Sequence, residues 1–462
     1  MNRRNLLKTL SIGFGSSIIS TDVLARLADN TFSFNIPENL LHKPLDKAVT
    51  AITLGAGNRG TVYGNYAGKF PEELKIVGVA EPNVFRNERY AEKHRIPAAN
   101  RFDTWEKVFE RPKFADAIII STPDRLHYGP CMKALEMGYD ILLEKPIAPS
   151  EKECRDILSL ARKNNRIVAV CHVLRYAPYF VKMKELIAKG AIGEVISVQH
   201  FEPIEHTHMA HSYVRGNWHK SSETTPIILA KSCHDLDIIK WVINKPSRKI
   251  AAMGDLKWFR IENAPEGSTA RCTDGCKVER QCPYSAIREY YDRRSRTSVL
   301  DLPPDRSKHA EVIMDRLKTT NYGRCVYRME NDQPDHYITN ILFDGNVTAS
   351  FSMEAFTSYH GRRTRVMGSM GDMVGDMNEL VLSDFRTRKE LKFVPQAEDV
   401  EEYKNSGHGG GDWLLVRDFV QAVSQKNPAI LTSTIDESIE SHIMGFKAEE
   451  SRKTGKVKII KM

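Results

Sequence analysis

The sequence has no apolar run of bilayer-spanning length, no polybasic block, no internal repeat and no low-complexity tract. The first absence excludes a transmembrane helix, which needs ~20 consecutive apolar residues. The second argues against a nucleic-acid partner, because the net charge of +8 is mild for 462 residues and is spread along the chain. The other two exclude repeat architectures and disordered tracts. Cysteine is scarce, eight residues in all, and none forms a CxxC pair, so a standard zinc ribbon is excluded. What remains is a globular chain with 27% charged and 41% hydrophobic residues, too long for one ordinary core, so two domains are expected.

The first thirty residues stand apart. Met1-Asn2-Arg3-Arg4-Asn5-Leu6-Leu7-Lys8 is a basic head, followed by a modestly apolar run from Leu10 to Ile19. The Arg-Arg pair with Asn-Leu-Leu-Lys after it resembles a bacterial twin-arginine export signal, with Val23-Leu24-Ala25 as a cleavage region. The expectation is an export signal and linker over 1–30 and a periplasmic or exported protein. The alternative is an uncleaved basic tail on a cytoplasmic one.

Ala48 to Leu54 is short, apolar and β-branched, as a buried parallel strand should be. It runs into Gly55-Ala56-Gly57-Asn58-Arg59-Gly60, and a helix-compatible stretch begins at about Thr61. Gly55 permits the tight turn, Gly57 lets the backbone approach a pyrophosphate, and Gly60 allows close helix–strand packing. The helix N-terminus turns its free N–H groups toward the phosphates. A second strand, Leu74 to Ala80, ends in Glu81, 21 positions past Gly60, where a carboxylate accepts both ribose hydroxyls of NAD. NAD is therefore expected over NADP. Arg59 is the feature that favours a 2′-phosphate.

The same grammar continues. Ala115 to Ile120 is a buried-strand run closed by Ser121-Thr122-Pro123, a helical segment through Tyr128 and Cys131 is stopped by Gly138, and Asp140 to Leu143 delivers Glu144-Lys145-Pro146. In an open parallel sheet, ligands bind outside the carboxyl ends of the strands. Ile167 to Cys171 completes an NAD-binding Rossmann domain over 46–171. Beyond His172 the strand-like stretches lengthen and alternate: Val195 to Phe201, Lys249 to Phe259, and Ile338 to Phe343 joined through Asp344-Gly345 to Val347–Ser350. With helices at Asp235–Asn244, Trp413–Ser424 and Asp436–Lys453, residues 172–462 read as an α+β domain with a large open, mostly antiparallel sheet for substrate and oligomer contacts.

GAGNRG at 55–60, STPDRLH at 121–127, EKP at 144–146 and CHDLD at 233–237 together resemble the Gfo/Idh/MocA oxidoreductases, and the likeness covers nearly the whole chain past the first thirty residues. The resemblance implies a Rossmann domain, then a sheet domain that holds substrate and forms homo-oligomer contacts. It implies NAD(P)-dependent oxidation or reduction of sugars, cyclitols and their glycosides. Asn58, Arg59, Ser121, Thr122, Pro123, His127, Glu144 and Lys145 join the glycines and Glu81 as the expected cofactor-binding set.

Hydride removal from an alcohol also requires a group that takes the hydroxyl proton. Lys145 is the candidate to orient that hydroxyl and stabilise developing alkoxide, and His234 the candidate general acid/base. His234 could instead simply cap the helix after it. Many members place an aspartate four residues before that histidine; this chain has Ala230, followed by Lys231. Asp237 is a weak candidate to orient His234 in its place. His172, Arg175, Tyr176 and Asp237 are the expected substrate readers.

Cys272, Cys276, Cys282 and Cys325 cluster in a polar insert near 262–330 and read equally as a structural zinc site or as disulfides. Cys131, Cys154, Cys171 and Cys233 fall in apolar segments and read as core. His206, His208 and His211 read as solvated loop histidines, with a metal as the alternative. His408-Gly409-Gly410-Gly411-Asp412 reads as a flexible flap or linker. Three functions are open: an NAD-dependent dehydrogenase of a carbohydrate hydroxyl, an NAD-dependent glycoside hydrolase working by transient oxidation and elimination, or a non-catalytic nucleotide-binding protein.

Overall fold

The computed structural model describes residues 31–33, 45–394 and 406–462. The twin-arginine segment lies outside the described residues. No helix among them is long and apolar enough to cross a membrane.

The chain builds two sheets. Strand β1 (Thr31–Ser33) belongs to the second; β2 (Val49–Leu54), β3 (Leu74–Ala80), β4 (Arg101–Phe102), β5 (Ala117–Ile120), β6 (Asp140–Leu143) and β7 (Val168–Val170) form the first. Its order is β4-β3-β2-β5-β6-β7 and every pairing is parallel. Chain order reverses between β2 and β5, and a crevice opens at such a switch point. The strands are continuous apolar runs because both faces are covered. Ile118 and Ile120 pack with Cys131, Leu135 and Ile157, from α3 (Tyr128–Glu136) and α4 (Glu151–Lys163). Ala117 and Ile119 face Tyr63, Tyr66 and Tyr90, from α1 (Asn58–Lys69) and α2 (Val84–Lys93).

The second sheet has ten strands in the order β1-β15-β14-β13-β12-β8-β11-β10-β9-β16. Its members after β1 are β8 (Val195–Pro203), β9 (Ser247–Asp255), β10 (His336–Phe343), β11 (Thr348–Glu354), β12 (Arg363–Gly368), β13 (Gly371–Gly375), β14 (Leu380–Asp384), β15 (Lys389–Val394) and β16 (Lys458–Ile459). Seven of the nine pairings are antiparallel; β1–β15 and β8–β11 are parallel. The Asp344-Gly345 hairpin forms as read, with Gly345 at φ +70°. Helix α5 (Pro178–Ala188) precedes β8, and α7 (His309–Thr319) lies in the insert between β9 and β10. One face of the sheet packs beneath α6 (Cys233–Ile243) and the last long helix, while the other exposes Ile196, Met253, Ile338 and Val374.

That last helix is α9 (Ile435–Thr454), preceded by α8 (Gly411–Gln425). Both return to the first sheet. Leu414, Leu415 and Phe419 of α8 enter the core around Tyr63 and Tyr66, and α9 packs on α4 and β7. The His408–Asp412 stretch leads directly into α8, with Asp412 buried.

Candidate active site

The glycine turn is built as its residues require. Gly55 adopts φ +87°, and a Cβ there would lie 2.6 Å from the Ser121 carbonyl oxygen. A Cβ on Gly60 would lie 2.1 Å from the Gly55 carbonyl oxygen, so only glycine lets α1 approach this closely. At Gly57 nothing lies within 4 Å of that position, which leaves the backbone open to a ligand. No side chain caps α1, so its first amides are free for an anion. Glu81 stands at the end of β3 and accepts the Ala56 N–H at 2.8 Å and the Asn83 N–H at 3.0 Å. A carboxylate has about four lone-pair positions, so two remain for ribose hydroxyls. The cradle therefore fits a dinucleotide.

Lys145 is the second residue past β6, and its Nζ donates to the Ala230 carbonyl oxygen at 2.6 Å. The position that lacks the expected carboxylate thus supplies a backbone oxygen instead. Glu144 anchors the turn, accepting from the Lys145 amide at 2.7 Å, Arg59 Nε at 2.7 Å and the Tyr63 hydroxyl at 2.6 Å. Beside Lys145 three imidazoles meet: the rings of His172 and His234 lie 5.7 Å apart, and those of His172 and His442 5.4 Å. His442, on α9, accepts the Ile147 amide at 3.0 Å through Nε2. Nδ1 of His234 and both ring nitrogens of His172 have no hydrogen-bond partner among the described residues, the nearest carboxylate to His172 being Asp237 at 3.7 Å from Nε2. Burial, reinforced by the Lys145 charge, holds His234 well below the ordinary histidine range, and burial does the same for His172. His442 is pushed down to about 3 by burial. His234 is therefore neutral, and a neutral imidazole accepts a proton.

The three rings make the fold acid-sensitive. Their folded pKa values lie below the ~6.5 of an unfolded histidine, so the unfolded chain takes up protons first as pH falls. Stability is fully present above pH ~7 and declines through 6.5, by about 1.4 kcal/mol per unit per histidine until the folded pKa is reached. Asp418, pushed up to about 6 by burial, works in the opposite sense and offsets part of this loss. Urea midpoints at pH 7 and pH 5 should differ clearly; a flat profile would mean the imidazoles are charged inside the fold.

A second buried polar group lies over the neighbouring sheet. Arg362 Nε donates to Asp235 at 2.6 Å and its Nη2 lies 2.8 Å from Glu202, while Lys231 Nζ stands 3.3 Å from Glu202. His200 Nε2 lies 3.0 Å from Asp235. Burial acts to raise the Asp235 carboxyl, but Arg362 and His200 bring it down to about 2. Sequence reasoning missed this group and His442, because strand and helix residues far apart in the chain make both.

With that geometry in view, the comparisons decide the family. The oxidoreductase-family model of the NAD-binding Rossmann fold matches residues 50–172, and its C-terminal alpha/beta domain model matches 184–459. The chain belongs to the Gfo/Idh/MocA oxidoreductase family. The Bacillus subtilis protein YteT is 25% identical over 374 residues, 76% of this chain and 83% of that one. An inositol 2-dehydrogenase/D-chiro-inositol 3-dehydrogenase of Lactiplantibacillus plantarum is 25% identical over 167 residues, 36% of this chain and 44% of its own. Among solved structures, an inositol dehydrogenase homolog from Azotobacter vinelandii, complexed with NADH and myo-inositol, superposes with a TM-score of 0.62 at 14% identity. That likeness covers 90% of this chain and 99% of the other, and it shows the shared fold.

For a Gfo/Idh/MocA member, several sequence expectations need correction. Arg175, Tyr176 and Asp237, expected as substrate readers, are buried in the core. Arg175 forms a two-pronged pair with Asp237, 2.7 Å on each arm, and donates to the Thr432 carbonyl at 2.6 Å. Asp237, fully buried and turned to Arg175, does not orient His234. The Tyr176 hydroxyl donates to Asp418 at 2.8 Å inside the core. These groups face inward because polar residues after a strand carry no signal of which side they will take.

Arg59, the residue that would favour a 2′-phosphate, is engaged by Glu144, Tyr63 and Asp412. Burial works to raise the Asp412 carboxyl, yet Arg59 brings it down to about 2. His127 is a strut: its ring nitrogens lie 2.7 Å from the Pro146 carbonyl and 2.8 Å from that of Thr122, tying the two loops together. Ser121 Oγ donates to the Gly55 carbonyl at 2.8 Å, and Thr122 Oγ1 to that of Leu126 at 2.9 Å. Pro123 leads into the short turn Asp124–Leu126, and Asn58 opens α1.

His206–His208 and Met209–Arg215 are helical, not a solvated loop, and His211 is buried with Nδ1 2.6 Å from the Tyr290 hydroxyl. Cys272, Cys276, Cys282 and Cys325 line one small cavity as free thiols. No group of three or more His, Cys, Asp or Glu side chains among the described residues is arranged to hold a metal.

Proposed function

We propose that this family member is an NAD-dependent dehydrogenase acting on a secondary hydroxyl of a cyclitol, sugar or glycoside. The observation that carries the reading is the Lys145 ammonium at the carboxyl end of β6, fixed on the Ala230 carbonyl beside a neutral His234. Gly55, Gly57, Gly60 and Glu81 would hold the dinucleotide, which when bound supplies the two-electron acceptor. Lys145 donates a hydrogen bond to the substrate oxygen and stabilises the charge that develops there. His234, with Nδ1 unpartnered, takes the hydroxyl proton. Burial leaves the ring unprotonated before substrate arrives, so its nitrogen is open to the hydroxyl proton. Export through the N-terminal segment and pairing of two copies across the exposed Met253–Ile338 face complete the proposal.

Incubation with NAD and a panel of cyclitols, sugars and glycosides, with products identified by mass spectrometry, tests it. A product lighter by two hydrogens, with matching NADH, is expected. A cleaved glycoside without net NADH would replace the dehydrogenase by the redox hydrolase, which the absence of a carboxylate at Ala230 favours. Inertness toward the whole panel would favour a nucleotide-binding role without turnover.

We further propose that these four thiols, free in the structure, tie the insert together in the finished protein as a zinc site or a disulfide. Metal analysis of protein purified without chelator separates these. A one-to-one zinc ratio lost in Cys272→Ser supports metal, and eight titratable thiols without metal would remove both.

A further inference from the structure

The insert between the large-sheet strands reaches the far end of the cofactor cradle. Asp301 accepts Arg86 Nε at 2.8 Å and Nη2 at 3.0 Å, a two-pronged pair between segments 215 residues apart. Asn83 Nδ2 lies 3.4 Å from the same carboxylate. Asn83 also caps α2, accepting the Arg86 amide at 3.1 Å, and gives its own amide to Glu81 at 3.0 Å. Glu81, Asn83, Arg86 and Asp301 are thus one connected set. It stands where the carboxylate at the end of β3 would meet the adenosine ribose. Asp301 is held in the left-handed region at φ +48°, a conformation uncommon for a non-glycine residue, so the loop is shaped to present it. The hydrogen bonds that Arg86 donates to Asp301 raise the Arg86 pKa, and Glu81 adds to the effect, so the guanidinium feels both carboxylates.

We infer that Asp301 is a cofactor-specificity residue, holding Arg86 beside Glu81 so that its guanidinium is denied to the 2′-phosphate of NADP. The inference rests on the dinucleotide reading of the cradle. A 2′-phosphate beside Glu81 would meet two carboxylates, with the neighbouring arginine already engaged. Removing Asp301 frees Arg86 to form the charge-assisted pair with phosphate instead. Ribose hydroxyls, being uncharged, depend on Glu81 and lose little.

Fluorescence titration of the full chain with NADH and NADPH reads this directly, without turnover. Asp301→Ala should strengthen NADPH binding by about 10–100-fold, the range of one regained charged hydrogen-bonded contact, and leave NADH binding nearly unchanged. Asp301→Asn, which keeps the side-chain volume, should move the same way by less. Arg86→Ala added to Asp301→Ala should cancel the gain. Unchanged NADPH affinity in both single variants, or an equal change for both dinucleotides, would overturn the inference. Binding of neither dinucleotide by the unaltered protein would overturn the cradle reading and the inference together.

Discussion

Lys145→Met should lower kcat by about 10²–10⁴-fold, the range lost when a positioned proton-handling group is removed, while dinucleotide binding persists. Methionine keeps the length and flexibility of the side chain, so the loop around Glu144 has no steric reason to collapse. What it removes is the ammonium that Ala230 holds at 2.6 Å. The contact is single-pronged, from one carbonyl, so Lys145→Arg should not restore activity: a planar fork wants two acceptors in its plane. Steady-state rates with the product assay, alongside NADH titration, separate chemistry from binding. Near-normal kcat in Lys145→Met would remove the lysine from the mechanism, and lost NADH binding would make it a cofactor anchor only.

Arg175→Met should destabilise the protein by about 3–5 kcal/mol, the cost of leaving one partner of a buried ion pair alone. Both side chains of the pair are about 1% exposed. Arg175 also donates to the Thr432 and Glu437 carbonyls, so its loss strands Asp237 and two backbone acceptors at the start of α9. Urea unfolding should show the loss, and the folded fraction should keep its KM. Removing both charges at once, as Arg175→Met with Asp237→Leu, should recover much of the stability, because a paired buried charge is dear in desolvation. A raised KM with an unshifted unfolding midpoint would instead return these residues to substrate recognition.

The contrast between Lys145 and Arg175 shows what a sequence carries. Strands β2, β3, β5 and β6 were legible because strands covered on both faces become unbroken apolar runs, and the glycine turn because steric demand leaves little choice of residue. Strands β12 to β15 were not legible. Arg363–Gly368 and Lys389–Val394 are short and carry charge on their open face, which weakens the period-two pattern. Lys145 stands out in the sequence because it follows a strand at the cofactor edge, a place fixed by topology. Arg175 also comes after a strand, and only the packing of α6 and α9 turns it inward, which no local pattern signals. The carbonyl of Ala230 was invisible for a different reason: every residue has one, and side-chain reasoning sees only what is missing there. His442 lies 295 positions from the amide it accepts, a separation no local pattern bridges.

The return of α8 to the first sheet fixes an order of events during synthesis. Tyr63 and Tyr66 lie buried among Leu414, Leu415 and Phe419, and Arg59 in the glycine turn closes on Asp412. While the ribosome is still making the large sheet, the nucleotide cradle exists with one wall missing and its arginine held by Glu144 and Tyr63 but not yet by Asp412. Domains usually fold as their N-terminal parts emerge; this one must wait for nearly the whole chain. The wall behind the cradle is complete only once α8 has docked, and a chain truncated before α8 would leave Tyr63 and Tyr66 without the cover of Leu414, Leu415 and Phe419.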